Sequence, residues 1–242
     1  QASLLLILKY FYDNSFSNSI NELPPFSNVF LEGYNSHQNR NEPGYLTLYN
    51  IFDERIKSNN SLRSFTKLEG FLALIPFKIQ SLKIVEVILH ILDEIQVDES
   101  LVYDYDNLIV SMTNSSISSG AFHIPKALVS AIVKVTKPIK KQRIYDPAMG
   151  TGRFFVESQK LLKDDFLHFK GNDLSAFACL IGSVNLLLNG IDIKEISLSD
   201  SLLIEDNLKH DFILSGVPFG KASDISKYEY YYNGYIGNLE AM

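Results

Sequence analysis

The chain has 242 residues, 46% hydrophobic and 21% charged, which is a globular composition long enough for one large domain or two modest ones. Its formal net charge of −6 excludes a protein that gathers nucleic acid through overall charge, so any DNA contact needs a local patch or another subunit. The single cysteine, Cys179, excludes an intrachain disulfide and a cysteine-based metal cluster, and fits a reducing, cytoplasmic setting.

The apolar run at 4–8 is closed by Lys9 and Asp13; it is too short to span a bilayer and reads as part of a buried helix over 2–12. The stretch 13–44 is rich in Asn, Ser, Pro and Gly and is expected to carry little regular structure. Short helices fit 45–56 and 62–74. The clearest helix spans 81–95, where Leu82, Val85, Leu89 and Leu92 repeat at three and four, and Ile84, Ile88, Ile91 and Ile95 widen the stripe. Ser81 is its expected N-cap. A helix over 103–112 leads into a polar loop at 113–119.

After Gly120 the pattern changes. A helix over 125–135 starts with Pro125, as helix starts tolerate. Strands at 143–146, 167–172, 195–198 and 212–215 then alternate with helices at 152–162 and 175–189. Such alternation predicts a parallel sheet with crossover helices. The boundary is placed near Ser118, between a helical region, 1–118, and an α/β region, 119–242.

The most informative stretch runs from Ile144 to Phe155 and reads I-Y-D-P-A-M-G-T-G-R-F-F. It predicts a strand ending at Asp146, a glycine turn and the first turn of a helix. Ligands of open α/β sheets bind outside the carboxyl ends of strands. Gly150 and Gly152 can take dihedral angles barred to other residues, and a helix start offers free N–H groups to an anion. No Lys-Ser or Lys-Thr follows the glycines, so this is not a phosphate loop. Phe155 stands where a full G-x-G-x-x-G has its third glycine.

Together with its neighbours, this loop resembles the modification (M) subunits of type I restriction-modification systems, a branch of the adenine-N6 DNA methyltransferases that use S-adenosyl-L-methionine. The family loop reads D-P-A-x-G-[ST]-G-G-F; Arg153 takes the place of its glycine here. Gly120-Ala-Phe-His-Ile-Pro-Lys126 is similar to G-x-F-Y-T-P-R, a segment that closes over the cofactor, with His123 for Tyr and Ile124 for Thr. The resemblance implies a Rossmann-like class I methyltransferase core and a cofactor site made of Phe122, His123, Pro125, Asp146, Ala148, Gly150, Gly152, Asp173 and Asp200. Asp173, in Gly171-Asn-Asp-Leu-Ser175, would accept from the ribose hydroxyls; the alternative is a helix N-cap. Asp200 would contact the adenine amino group; the alternative is a plain surface turn. Phe122 has core packing as its alternative. His123 has no partner at metal-ligand spacing. Asn185-Leu-Leu-Leu-Asn-Gly-Ile191 looks like a structural helix end of the family.

The catalytic loop departs from its family. Where members carry Asn-Pro-Pro-Phe or Asn-Pro-Pro-Tyr, this chain has Ser215-Gly216-Val217-Pro218-Phe219, which puts Gly216 at the Asn position and Val217 at the first Pro. In the family the Asn carboxamide oxygen and a backbone carbonyl accept the two hydrogens of the adenine amine. Losing such an electrostatic partner costs about 10²–10³ in rate. Val217 also lacks proline's fixed φ. Phe219 remains able to stack on an extruded base. The resemblance therefore implies a cofactor-binding, DNA-adenine-N6-methyltransferase-like subunit with impaired catalysis. It would work with DNA, a specificity subunit and a restriction subunit. A non-catalytic scaffold of a DNA-modification complex is the alternative, and an RNA or protein methyltransferase of the same fold a third. Members of the class have about three more strands than this sequence supplies, so the sheet is expected to be incomplete at the C-terminus.

Overall fold

The computed structural model describes residues 5–6, 9–10, 25–28, 31, 67–68, 70–71, 73–74, 81–95, 99–114, 124–162, 167–204 and 208–216. The chain resolves into two compact units, Gln1–Asp104 and Tyr105–Met242. The boundary expected near Ser118 and the helix expected over 45–56 lie outside the described residues.

In the first unit, α1 (Leu82–Glu94) follows the predicted helix closely. Ser81 stands at its N-cap with extended dihedrals, but its hydroxyl makes no capping hydrogen bond. Leu89 and Leu92 are buried, whereas Ile84 and Ile91 are 52% and 51% exposed. These two isoleucines lie about a third of a turn from the buried leucines, so the apolar stripe is wider than the arc the unit covers. Asp93 accepts a hydrogen bond from the Ser27 backbone N–H at 3.1 Å. Residues 26–28 and 31 are helical, inside the stretch expected to be irregular. Pro25 opens that turn, its carbonyl accepting from the Asn28 N–H at 3.1 Å; proline's locked φ suits a helix start.

The second unit begins within α2 (Glu99–Asn114), which is longer at both ends than the predicted helix. It continues with α3 (Lys126–Thr136), β1 (Arg143–Asp146), α4 (Arg153–Leu162), β2 (His168–Asp173), α5 (Ala176–Leu188), β3 (Ile196–Leu198) and β4 (Phe212–Ile213). Pro125 caps α3, and α3 packs on α4. Among the described residues all strand pairs are parallel, in the order β3-β2-β1-β4. Ile144 pairs with Phe169 on one side and Phe212 on the other. The order therefore reverses at β1: the chain moves outward to β2 and β3, then returns to β4 on the far side. This is the parallel α/β architecture that the alternation predicted, and it agrees with the Rossmann-like core that the resemblance implied.

The core of this unit lies between the sheet and its helices. Ile144, Phe155, Val184, Leu186, Ile193 and Ile196 are completely buried. Phe155 packs on Phe169 with ring centroids 5.0 Å apart. The bulk at Phe155 is matched by Gly171 on β2, where an added Cβ would come within 2.9 Å of the Phe155 ring. The third glycine of a dinucleotide fingerprint is thus exchanged for an aromatic on the helix and a glycine on the strand. Among the described residues no helix is long and apolar enough to cross a membrane.

Candidate cofactor site

The reversal of strand order puts the carboxyl ends of β1 and β4 side by side. Asp146 ends β1, and Leu214, Ser215 and Gly216 follow β4, with the Leu214 N–H donating to the Tyr145 carbonyl at 3.0 Å. Between β1 and α4 the chain turns through Gly150 (φ 52°) and Gly152 (φ 72°), left-handed angles that explain both glycines. The Gly152 N–H donates to the Met149 carbonyl at 2.8 Å, and the Gly152 carbonyl accepts from Phe155 and Val156 as the first turn of α4.

Each part of this loop is tied to a different element. The Met149 N–H donates to the Asn172 carbonyl at 2.9 Å. The Gly150 N–H donates to Asp173 Oδ2 at 2.9 Å. Buried Asn185, on α5, donates from Nδ2 to the Thr151 carbonyl at 2.9 Å. The Ser201 hydroxyl donates to the Pro147 carbonyl at 2.5 Å. An added Cβ on Gly182 would stand 2.5 Å from the Gly150 carbonyl oxygen, so α5 lies directly against the loop. Sequence reasoning alone does not place Asn185, Gly182 or Ser201 at the site. Asn185 does carry a signal: it is polar within the apolar run Leu180 to Leu188, and a buried amide needs a partner.

Asp146 is 2% exposed, and its carboxyl is pushed up from 3.8 to about 7, chiefly because burial penalises the charged form. The Ala148 N–H donates to its Oδ1 at 3.0 Å and works in the opposite direction, as does the nearby Ser215 hydroxyl; Asp173 adds a small upward push. The Ser215 hydroxyl is close enough to favour the charge, yet it makes no hydrogen bond of full geometry among the described residues. Asp173 bridges the glycine loop and the α5 entry, its Oδ1 accepting from the Ser175 N–H at 2.9 Å. The helix cap is Ser175, whose hydroxyl accepts from the Ala178 N–H at 3.2 Å, and not Asp173. Asp200 forms a turn, with Oδ1 accepting from the Leu202 N–H at 3.1 Å, and Ser201 fastens that turn to Pro147. Cys179 is buried in α5, as a core residue.

Pro125, Asp146, Ala148, Gly150, Gly152, Asp173, Asp200 and Gly216 are all described; Phe122, His123, Val217, Pro218 and Phe219 lie outside the described residues. The glycine loop brings Asp146, Ala148, Gly150, Gly152 and Asp173 together through the bonds above, and Gly216 leaves the neighbouring strand. Arg153 has a role that sequence reasoning missed. Its Nε and Nη2 donate to the two carboxylate oxygens of Asp106 at 3.0 and 3.2 Å, and its Nη1 donates to the Ile124 carbonyl at 3.2 Å. Among the described residues no group of three or more His, Cys, Asp or Glu side chains is arranged to hold a metal ion.

The methylase subunit of the type I restriction enzyme MjaVII of Methanocaldococcus jannaschii is 25% identical over 179 residues, 71% of this chain and 30% of that protein. The HindI methylase subunit of Haemophilus influenzae is 32% identical over 79 residues, 31% of this chain and 18% of that protein. The chain thus spans less than a third of the length of these curated relatives. The type I restriction-modification methyltransferase subunit of Streptococcus thermophilus has the same fold, with a TM-score of 0.55 at 15% identity over 90% of this chain and 51% of that one. A class I S-adenosylmethionine-dependent methyltransferase fold from Listeria monocytogenes matches at a TM-score of 0.51 and 14% identity, over 86% of this chain and 62% of that one. The model of the N-6 DNA methylase family matches residues 96–238, more than half of the sequence. With its glycine turn at the point where strand order reverses, the chain belongs to the N-6 DNA methylase family.

Proposed function

We propose that this chain is a DNA-adenine-N6-methyltransferase-like subunit of a type I restriction-modification system that binds S-adenosyl-L-methionine and transfers its methyl group poorly or not at all. The observation that carries the reading is the glycine turn at the strand reversal, with a buried carboxyl beneath it and a glycine where an amine acceptor belongs.

The residues fit the cofactor. A carboxyl buried at the end of β1 with a raised pKa is a site waiting for a positive neighbour, and the donor carries both a sulfonium and an ammonium group. Among the described residues the Ser215 hydroxyl beside it has no full hydrogen bond, and a Cβ added at Gly150 would meet nothing within 4 Å apart from its chain neighbours. Asp173 spends one lone pair of each oxygen on backbone N–H groups, and each oxygen keeps another for a ribose hydroxyl. When bound, the cofactor supplies an electrophilic methyl on sulfur. Asp146 would hold the charge of the methionine part, and Gly150 and Gly152 let the backbone close on it. Asp173 would orient the ribose, and Asp200 the adenine edge. Phe122, His123 and Pro125 would cover it.

Residue 216 offers no carboxamide, so the amine of an extruded adenine keeps its lone pair delocalised into the ring. DNA, a specificity subunit and a restriction subunit are the proposed partners; support comes from relatives that are named as methylase subunits of type I restriction enzymes. A non-catalytic role in the same complex is the second reading, favoured by Gly216 itself. Calorimetric titration with S-adenosylmethionine followed by an adenine-methylation assay with partner subunits tests both. Binding with turnover normal for the family removes the claim of impairment, and absence of binding removes the cofactor site.

A further inference from the structure

Three departures from the family patterns, Ile124 for Thr, Arg153 for Gly and Gly216 for Asn, are far apart in sequence and meet in the fold. The Arg153 side chain is 11% exposed and that of Asp106 is 15% exposed; together they form a two-pronged ion pair. The remaining guanidinium nitrogen holds the Ile124 carbonyl at 3.2 Å. The Ile124 side chain then lies against Gly216. A Cβ added at residue 216 would overlap Ile124 Cδ1 and come within 2.9 Å of Cγ1. Gly216 does not adopt a left-handed φ, so space rather than backbone conformation demands glycine there.

Ile124 Cδ1 can swing about χ2, but Cγ1, 2.9 Å from the added Cβ, can step aside only through χ1 or the backbone of Ile124. Its β-branched side chain is stiff at χ1. It precedes Pro125, which confines its backbone to extended angles. Its carbonyl is fastened by Arg153.

We propose that Asp106 and Arg153 are positioning residues that seat Ile124 over residue 216, so that hydrocarbon fills the place of the amine acceptor. The meaning of position 216 rests on the proposed function; the packing stands apart from it. An adenine amine delivered there meets a methyl group where it needs an oxygen, and its N–H groups go unpaired. Loss of the family Asn and gain of Ile124 are two halves of one change, and Arg153 locks it.

The test is a set of thermal-unfolding cycles on the full chain. Gly216→Ala is expected to lower Tm by about 3–6 °C in the parent. In an Ile124→Ala background the same substitution is expected to lower it by less than half as much, and an Arg153→Gly background is expected to reduce the loss too. If Gly216→Ala alone does not fold, recovery of a cooperative transition in the Ile124→Ala double variant supports the seat, and failure to recover overturns it. No loss from Gly216→Ala in the parent, or an equal loss in parent and Ile124→Ala, also overturns it. An equal loss in parent and Arg153→Gly overturns the positioning role of Arg153. S-adenosylmethionine is titrated into the parent in parallel. Failure to bind counts against the cofactor reading alone, because the unfolding cycles measure packing without any ligand.

Discussion

Replacing Asp146 by Asn should make the protein more stable at alkaline pH and change how stability varies with pH. The folded carboxyl has its pKa raised from 3.8 to about 7 by burial, so the folded state binds a proton more tightly than the unfolded chain does. The contribution of a group raised in this way is fully present below the unfolded value and is lost as pH rises through the folded one. Between about pH 5 and about pH 8 this one carboxyl therefore removes about 3 kcal/mol of stability. For a chain of this size that is about 6–12 °C in Tm. The Asn side chain keeps an oxygen for the Ala148 N–H and has no proton to lose in this range. The assay is thermal unfolding of parent and variant without cofactor across that pH range. The difference in Tm between the two proteins is the quantity to read, because other titrating groups cancel in it. A difference that stays constant with pH, or that shifts in the parent's favour as pH rises, refutes the reasoning.

Four further outcomes are expected. Gly182→Ala, usually a gain within a helix, should instead cost about 1–3 kcal/mol and weaken S-adenosylmethionine binding, because the new Cβ meets the Gly150 carbonyl; unfolding and calorimetry check both. Asn185→Leu should cost about 1–3 kcal/mol in denaturant unfolding by leaving the buried Thr151 carbonyl without its donor. Binding of the cationic cofactor near pH 7 should release about half a proton from Asp146, read as a dependence of calorimetric heat on buffer ionisation enthalpy, which Asp146→Asn abolishes. Gly216→Asn with Val217→Pro should leave adenine methylation at the parental level, and adding Ile124→Thr should raise it by about 10²-fold; equal rates in the two variants contradict the seat at residue 216.

The sheet and the glycine loop were legible because their signals are local. The strand expected over 143–146 is β1, residue for residue, since four residues between a basic turn and a Pro-bounded loop leave little choice of register. The loop announced itself through Gly150 and Gly152, whose left-handed angles few other residues adopt. Asp173 was legible as important but ambiguous, because a carboxylate beside Ser175 can serve a cap or a ligand; the structure gives the cap to Ser175. What escaped is non-local. Arg153 and Asp106 are separated by 47 residues, and no periodicity joins them. In sequence, Ile124 is a lost hydroxyl and Gly216 a lost carboxamide. Only their contact in space makes them a single substitution. The stripe on α1 is wider than its buried face for a related reason: apolar residues mark a face without saying how much of it a neighbour covers.

The anchoring of the glycine loop also bears on the order in which the protein folds. Its bonds reach residues 23, 34 and 54 positions further along the chain, on β2, on α5 and in the turn after β3. Contacts of such long sequence separation form only after the intervening chain has lost its entropy. The loop is therefore expected to take shape late, once three separate segments have come into place. Amide exchange at Met149 and Gly150, whose N–H groups are held by β2, would then report opening of the assembled unit, whereas Gly152, bonded to the Met149 carbonyl, reports the local turn; the protection of the first two reads the cooperativity of the α/β unit.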